Sequence, residues 1–324
     1  MAITGTGAQN DPYLVHSYDE LKTVTTDNSY CPQYEHRYIS LDADIDCNVY
    51  GSQFEWETIA LGHDSRGFTL DLNEHTIKNI SVKVNNSIFD ASYAGTNVYG
   101  SWYSEFVGNG KILNVFTQPS STAYVIKSRG YQNTVSNLSI SASLGANSKG
   151  LFLNTKISDC AIYAESGSTP SDGEAVILYS TVDADASTLC DISNCDILLN
   201  LNGMNNHVSW SSTSAIGTNV LINNTRLRGF IKSSDLKTGW LSIGKLSNCV
   251  VDLDMSEANW GGVSYTLKWS CSDDSNGVIN VDNMPVGQQY EAYFTRGMTS
   301  VNSSEIVNGD ALRAKGFTVV NVVG

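Results

Sequence analysis

Proline is scarce in this chain, 5 residues in 324, and glycine is ordinary at 27. With 41% hydrophobic residues, that balance points to a folded polypeptide and away from a disordered one. Positive charge is also short: 19 Lys and Arg stand against 33 Asp and Glu, a formal charge of −14. Phosphate contacts need clustered basic side chains, so a nucleic-acid partner is disfavoured. The acidic residues are scattered, as on a solvated surface. Long amphipathic helical runs are missing too, and only Asp19 to Val24 predicts a turn or two of helix. No apolar run approaches the length that crosses a bilayer, so membrane insertion is not expected. The first residues, Met1-Ala-Ile-Thr-Gly-Thr-Gly7, carry neither a basic region nor an apolar stretch. They predict a chain without a secretory leader, made in a cytoplasm.

Several chemical signatures are absent. There are 7 cysteines but no Cys-x-x-Cys, so zinc and redox motifs lack support. His16, His36, His63, His75 and His207 are dispersed, without metal-ligand spacing. Neither a Gly-x-Ser-x-Gly elbow nor a phosphate loop occurs. No cofactor and no metal are therefore expected.

What is present is a repeated phrase: apolar, any, Asn or Asp, small or apolar, any, apolar. It begins at Ile77, Ile112, Val135, Ile157, Ile192, Ile222 and Leu246, with its Asn or Asp at 79, 114, 137, 159, 194, 224 and 248. Subtraction gives intervals of 35, 23, 22, 35, 30 and 24. Periods of this order mark solenoids and arrays. The second half of the phrase alternates apolar and polar residues, which makes a strand with one buried face. The Asn stands where alternation breaks, and Asn tolerates the left-handed backbone a turn needs. Stacked turn on turn, the Asn residues would form one column at a corner. An antiparallel meander is the alternative, but Asn-Gly hairpin signals are few: 109–110, 202–203, 276–277 and 308–309. The intervals suit a coil of three short strands. Ile80, Val82, Leu138, Ile140, Ile162, Ile197 and Val251 are then expected to point inward.

Cys160, Cys195 and Cys249 share one slot of the phrase. They read as buried free thiols in an interior column, with a disulfide ladder between coils as the other option. Ser17-x-x-Glu20 has the spacing of a helix capping box.

The N-terminal segment runs Gly5-Thr-Gly7, then Pro12-Tyr13-Leu14-Val15, then the short helix with Leu21. Leu41-Asp-Ala-Asp44-Ile45 and Phe68-Thr-Leu70-Asp-Leu72-Asn73-x-His75-x-Ile77 follow. These segments resemble the start of bacterial and phage surface proteins with right-handed parallel β-helices. In those, a Gly-rich stretch leads to Pro-Tyr-x-Ile, where this chain has Val15. The resemblance covers about the first 80 residues. It implies an all-β, right-handed parallel β-helix with an N-terminal cap and fixes no activity, because such solenoids serve lyases, adhesins and fibres alike. The organisation expected is a cap over 1–60, coils over 61–285 and a C-terminal capping or assembly segment over 286–324. The last residues, Phe317 to Val323, form a bare apolar strand that invites pairing with another subunit.

Alternating Asp residues at 42, 44 and 46, at 183 and 185, and at 252 and 254 have the spacing of carboxylates sharing a strand face. Outward carboxylates serve as glycosidase pairs or calcium ligands in some solenoids, yet outward positions must be polar in any case. Asp252 and Asp254 are the catalytic candidates. Arg226 and Arg228 are the adjacent outward basic pair, with no Asp phrase at a clearly matched position. Trp102, Tyr103, Trp210, Trp260 and Trp269 lie in or beside the longer insertions and are the ligand-binding candidates. Exposed rings stack on sugars or anchor interfaces, and they also cover apolar flanks.

These features lead to the expectation of a non-enzymatic bacteriophage virion protein: a head or tail fibre, spike or decoration. It would be made in the host cytoplasm, assemble with copies of itself as a trimer and with other virion proteins, and contact surface glycans. The alternatives are a tailspike-like glycosidase or lyase and a bacterial surface adhesin.

Overall fold

Left-handed asparagines mark where this chain turns. The structure, a computed structural model, describes residues 3–32, 35–51, 54–61, 67–83, 86–91, 103–118, 124–128, 133–145, 150–166, 177–179, 190–202, 214–232, 240–254, 256–257, 277–280, 282 and 298–307. Among these, eleven non-glycine residues have positive φ, and nine of the eleven are Asn. Asn occupies this region more cheaply than other L-residues because its short amide bonds locally.

Between the corners lie short parallel strands on three walls. The first wall holds Tyr13–Val15, His36–Leu41, Gly67–Asp71, Ser104–Val107, Thr134–Ser136, Lys156–Ser158 and Cys190–Ser193. The second holds Ile45–Asp46, Thr76–Val82, Lys111–Thr117, Ser139–Leu144, Ala161–Ser166, Asp196–Asn202, Arg226–Lys232, Val250–Asp254, Gly277–Asn280 and Met298–Val301. The third holds Ile59–Ala60, Phe89–Ala91, Tyr124–Ser128, Gly150–Leu153 and Leu178–Tyr179. Ser214–Asn223 runs unbroken from the third wall into the first, since Leu178 pairs with Gly217 and Cys190 with Val220. From His36 to Asn223 each pass thus lays one strand on each wall. The fold is all-β, with long parallel sheets of stacked strands, consistent with a solenoid-like β-helix.

The expected inward residues Ile80, Val82, Leu138, Ile140, Ile162, Ile197 and Val251 are all at most 2% exposed. Phe68, Phe89, Phe106 and Phe152 fill the interior with Trp56, whose indole donates to the Ile88 carbonyl at 3.0 Å. Full burial of such side chains is worth roughly 1.5–3 kcal/mol each.

The seven phrases do not stack in one register. Five of them, with Asn137, Asp159, Asn194, Asn224 and Asn248, turn the corner from the first wall to the second. In the first two, Asn79 and Asn114 lie inside second-wall strands. Ile112 pairs with Ile77 and Ile140, while Val135 pairs with Phe106. The cause is a bulge: Asn79 and Asn114 each insert a left-handed residue, and the register shifts between Ile140 and Ala142, where the bulge ends. One local signature, apolar-x-Asn, serves two places in the coil.

Both columns carry an amide ladder. Asn79 donates to Asp46 at 2.8 Å, and Asn114 to Asn79 at 3.1 Å. Asn194 donates to Asp159 at 3.2 Å, Asn224 to Asn194 at 2.7 Å and Asn248 to Asn224 at 3.2 Å. Each run starts on a carboxylate, which only accepts when ionised. The first Asn must therefore turn its NH2 toward the Asp, and its carbonyl is left for the next coil. One Asp sets the orientation of every amide behind it.

After four of the five corners the next residue is a small donor, and after Asn137 it is Leu138. The thiols of Cys160, Cys195 and Cys249 donate to the carbonyls of Ser158, Ser193 and Ser247 at 3.1, 3.1 and 3.2 Å. Thr225 uses its hydroxyl in the same slot, donating to Asn223 O at 2.9 Å. All three cysteines are buried thiols outside any disulfide, so the thiol-column reading holds and no disulfide ladder forms. Contact with Cys160 and burial push the Cys195 thiol up.

Ser17 caps a helix, α1 (Tyr18–Thr26), longer than expected at 9 residues. Ser17 Oγ accepts from Glu20 N at 3.2 Å, while the Glu20 carboxylate accepts from His16 N at 2.8 Å, one residue before the cap. Its buried face, Tyr18, Leu21, Val24 and Thr25, meets Trp56 and Phe54 through Tyr18. The apolar C-terminal segment 317–324 lies outside the described residues.

Candidate functional site

The outer face of the second wall collects the charged candidates. In-register pairing sets Asp196 beside Arg226 and Arg228 beside Asp252. Arg228 donates from Nε and Nη2 to the two oxygens of Asp196, at 3.0 and 2.9 Å. The arginine pair therefore has matched carboxylates on both sides, contrary to the sequence reading. Asp196 and Asp252 stand 56 residues apart (252 minus 196), two coils on the same wall. A column beside them runs Ser143, Glu165, Asn200, Phe230 and Asp254. Tyr163 bridges its middle, donating to Glu165 Oε2 at 2.7 Å and accepting from Asn200 Nδ2 at 3.2 Å.

Asp252 and Asp254 do share this outward face, but Asp254 is held as an ionised acid. Asp254 accepts from Ser256 Oγ at 2.6 Å and Ser256 N at 3.0 Å, which holds its carboxyl below the usual range. A glycosidase acid needs the opposite shift. A raised carboxyl occurs at Asp191, pushed up by burial and opposed by Lys156, on the first wall. Asp42, Asp44 and Asp46 do not share a face, because a bend at 42–43 ends the strand before Ile45. They bond separately: Asp42 with His16, Asp44 with Thr76 N, Asp46 with Asn79. Asp183 and Asp185 lie outside the described residues, as do Trp102, Trp210, Trp260 and Trp269.

Tyr103 is described, and it opens a second cluster. On the outer face of the first wall, Tyr38 pairs with Thr69 and Thr69 with Glu105. Thr69 Oγ1 donates to Glu105 Oε2 at 2.9 Å and lies 2.9 Å from His36 Nε2. A carboxylate cannot donate, so the hydroxyl proton points to Glu105 and His36 Nε2 carries a proton toward Thr69. The His36 ring lies 5.0 Å from Tyr103 and 5.1 Å from Tyr38, at 44° and 57°. Burial holds the His36 pKa down, and the Glu105 charge first, with burial, holds that of the Tyr103 phenol up. Residue-by-residue reading missed this cluster, since His36, Thr69 and Glu105 stand 33 and 36 residues apart. Those are coil lengths, and register alone connects them.

Among the described residues no group of three or more His, Cys, Asp or Glu is arranged to hold a metal, and no helix is long and apolar enough to cross a membrane. Comparison with family profiles, curated proteins and solved structures returned no match.

Proposed function

We propose that this chain is a non-enzymatic structural component of a bacteriophage virion. In this reading it is a right-handed parallel β-helix with an N-terminal helical cap, displayed as a fibre, spike or decoration and contacting surface glycans. The observation that carries the proposal is where the outward polar groups are used. Asp46 ties to Asn79 and Lys78, Asp90 to Lys127, Asp196 to Arg228 and Glu257 to Lys232, each across neighbouring turns of the stack. Spending charges on coil-to-coil ties suits a rod that must hold its shape. Light scattering of the full chain is expected to show an oligomer, a trimer on the resemblance to phage fibres, which is lost when 317–324 are removed. A monomer with and without that segment would remove the assembly claim.

The second reading, a polysaccharide-cleaving enzyme, is favoured by one feature: Arg228, bonded to Asp196, stands in register with Asp252. Incubation with host capsular glycan separates the two. No released oligosaccharide is expected; turnover that vanishes in Asp252→Asn or Asp254→Asn would establish the enzyme.

A further inference from the structure

The cluster on the first wall has a chemistry of its own. It is assembled from three successive coils and rigidified from below: Thr69 is 8% exposed and bonds His36 on one side and Glu105 on the other. Gly67 pairs with His36, and a Cβ there would collide with His36 Nδ1 and approach the Tyr103 carbonyl oxygen to 2.8 Å. A residue without a side chain lets the imidazole settle and the three rings gather. The two tyrosine rings flank the imidazole at centroid distances of 5.1 and 5.0 Å, tilted by 57° and 44°, so none of the three rings is stacked flat on another.

Charge at this place has one sign. The Glu105 carboxylate acts electrostatically on both His36 and Tyr103. The neighbouring cation in the chain, Arg37, pairs with Glu35 and sits against Tyr13 and Gly7. His36 itself favours the neutral form through burial. Aromatic faces carry negative quadrupole charge and attract cations within about 6 Å of the ring centre. A carboxylate with about four acceptor positions keeps capacity for a ligand after one bond from Thr69.

We propose that His36, Tyr38, Tyr103 and Glu105 form a binding site for an organic ammonium group, of the kind an amino sugar presents. The rings supply cation–π contact, Glu105 the counter-charge, and the phenol hydroxyls bond the sugar's hydroxyls. The proposal deepens the glycan-contact reading and names the sugar class it selects: amino sugars with a free amine, over neutral and acidic ones.

The test uses the full chain and three soluble probes: glucosamine, N-acetylglucosamine and glucose. Binding is followed by saturation-transfer NMR and calorimetry. Glucosamine is expected to bind about tenfold more tightly than the other two, a difference of about 1.4 kcal/mol. Glu105→Gln and, separately, Tyr103→Ala should each weaken it by about that factor. Unchanged thermal unfolding and circular dichroism identify variants that are folded, and Tyr103→Phe keeps the ring should Tyr103→Ala unfold. Equal binding of glucosamine and N-acetylglucosamine overturns the proposal, as does full binding by folded Glu105→Gln or no binding at all. Its failure is separable from that of the wider reading. If host surface glycan binds wild type and Glu105→Gln equally, this site falls and glycan contact stands. If glucosamine binds as expected and no host glycan does, the site stands and glycan contact falls.

Discussion

Replacing Asn224 by alanine and by glycine should separate two contributions that the corner column combines. Asn224 holds φ at 46°, donates to Asn194 at 2.7 Å and accepts from Asn248 at 3.2 Å. Either substitution removes both side-chain bonds. At about 0.5–1.5 kcal/mol each, with partial solvent access, the pair contributes about 1–2 kcal/mol. Alanine must also sit in the left-handed region, at about 1–2 kcal/mol. Glycine occupies that region freely but costs about 0.5–1 kcal/mol in chain entropy relative to alanine. The expected loss is about 2–4 kcal/mol for Asn224→Ala, with Asn224→Gly roughly 1 kcal/mol milder. Equilibrium urea unfolding gives the global values. Hydrogen exchange at Arg226 N, which donates to Cys195 O at 2.9 Å beside the corner, gives the local one. If glycine costs as much as alanine, backbone strain is not what selects Asn here. If both cost under about 0.5 kcal/mol, the ladder contributes nothing to stability.

Ile140→Asp, at a position 1% exposed, buries an unpaired charge and should cost several kcal/mol; a urea midpoint equal to wild type would contradict the inward placement. Cys160, Cys195 and Cys249 should label with a thiol reagent slowly in native protein and fast after denaturation, and Cys47, pushed up to about 12 by burial, should behave alike. Immediate native labelling of the three corner thiols would refute the interior column. Acid should destabilise the fold. Asp46, lowered first by the Asn79 amide, and Asp254, lowered by Ser256, have depressed folded values. The stability they contribute is present above the ordinary carboxylate pKa of about 3.9 and lost as pH falls through the folded values. Asp191, raised by burial, works in the opposite sense. A urea midpoint at pH 3 no lower than at pH 7 would show that these bonds carry no net weight.

The architecture was legible because a coil repeats its physics. Alternation marked Ser139–Leu144 and Asp196–Asn202 as one-sided strands, and their inward residues are buried. Ser17 and Glu20 announced the helix. Register was harder to read. Ile77-Lys-Asn79 and Ile157-Ser-Asp159 look alike as strings, but one is a bulge within a strand and the other a corner, and nothing local distinguishes them. Sites suffered most, because a solenoid builds them across coils. Asp252 looked grouped with Asp254 alone until pairing set it beside Arg228. His36 looked like one of five scattered histidines until Thr69 and Glu105 aligned with it.

The amide ladders have a direction that suits the order in which a ribosome delivers the chain. In every bond of both runs the later coil donates and the earlier coil accepts: Asn79 to Asp46, Asn114 to Asn79, Asn194 to Asp159, Asn224 to Asn194, Asn248 to Asn224. A newly emerged turn therefore arrives with a donor for an acceptor already in place. Asp46 and Asp159 act as starter positions, presenting acceptors that require no earlier partner. Asp159 is the acceptor on which Asn194 begins the corner run, so that run can be laid down afresh there. Growth by addition to a finished end keeps each new contact one coil long, which limits the loop closed at every step.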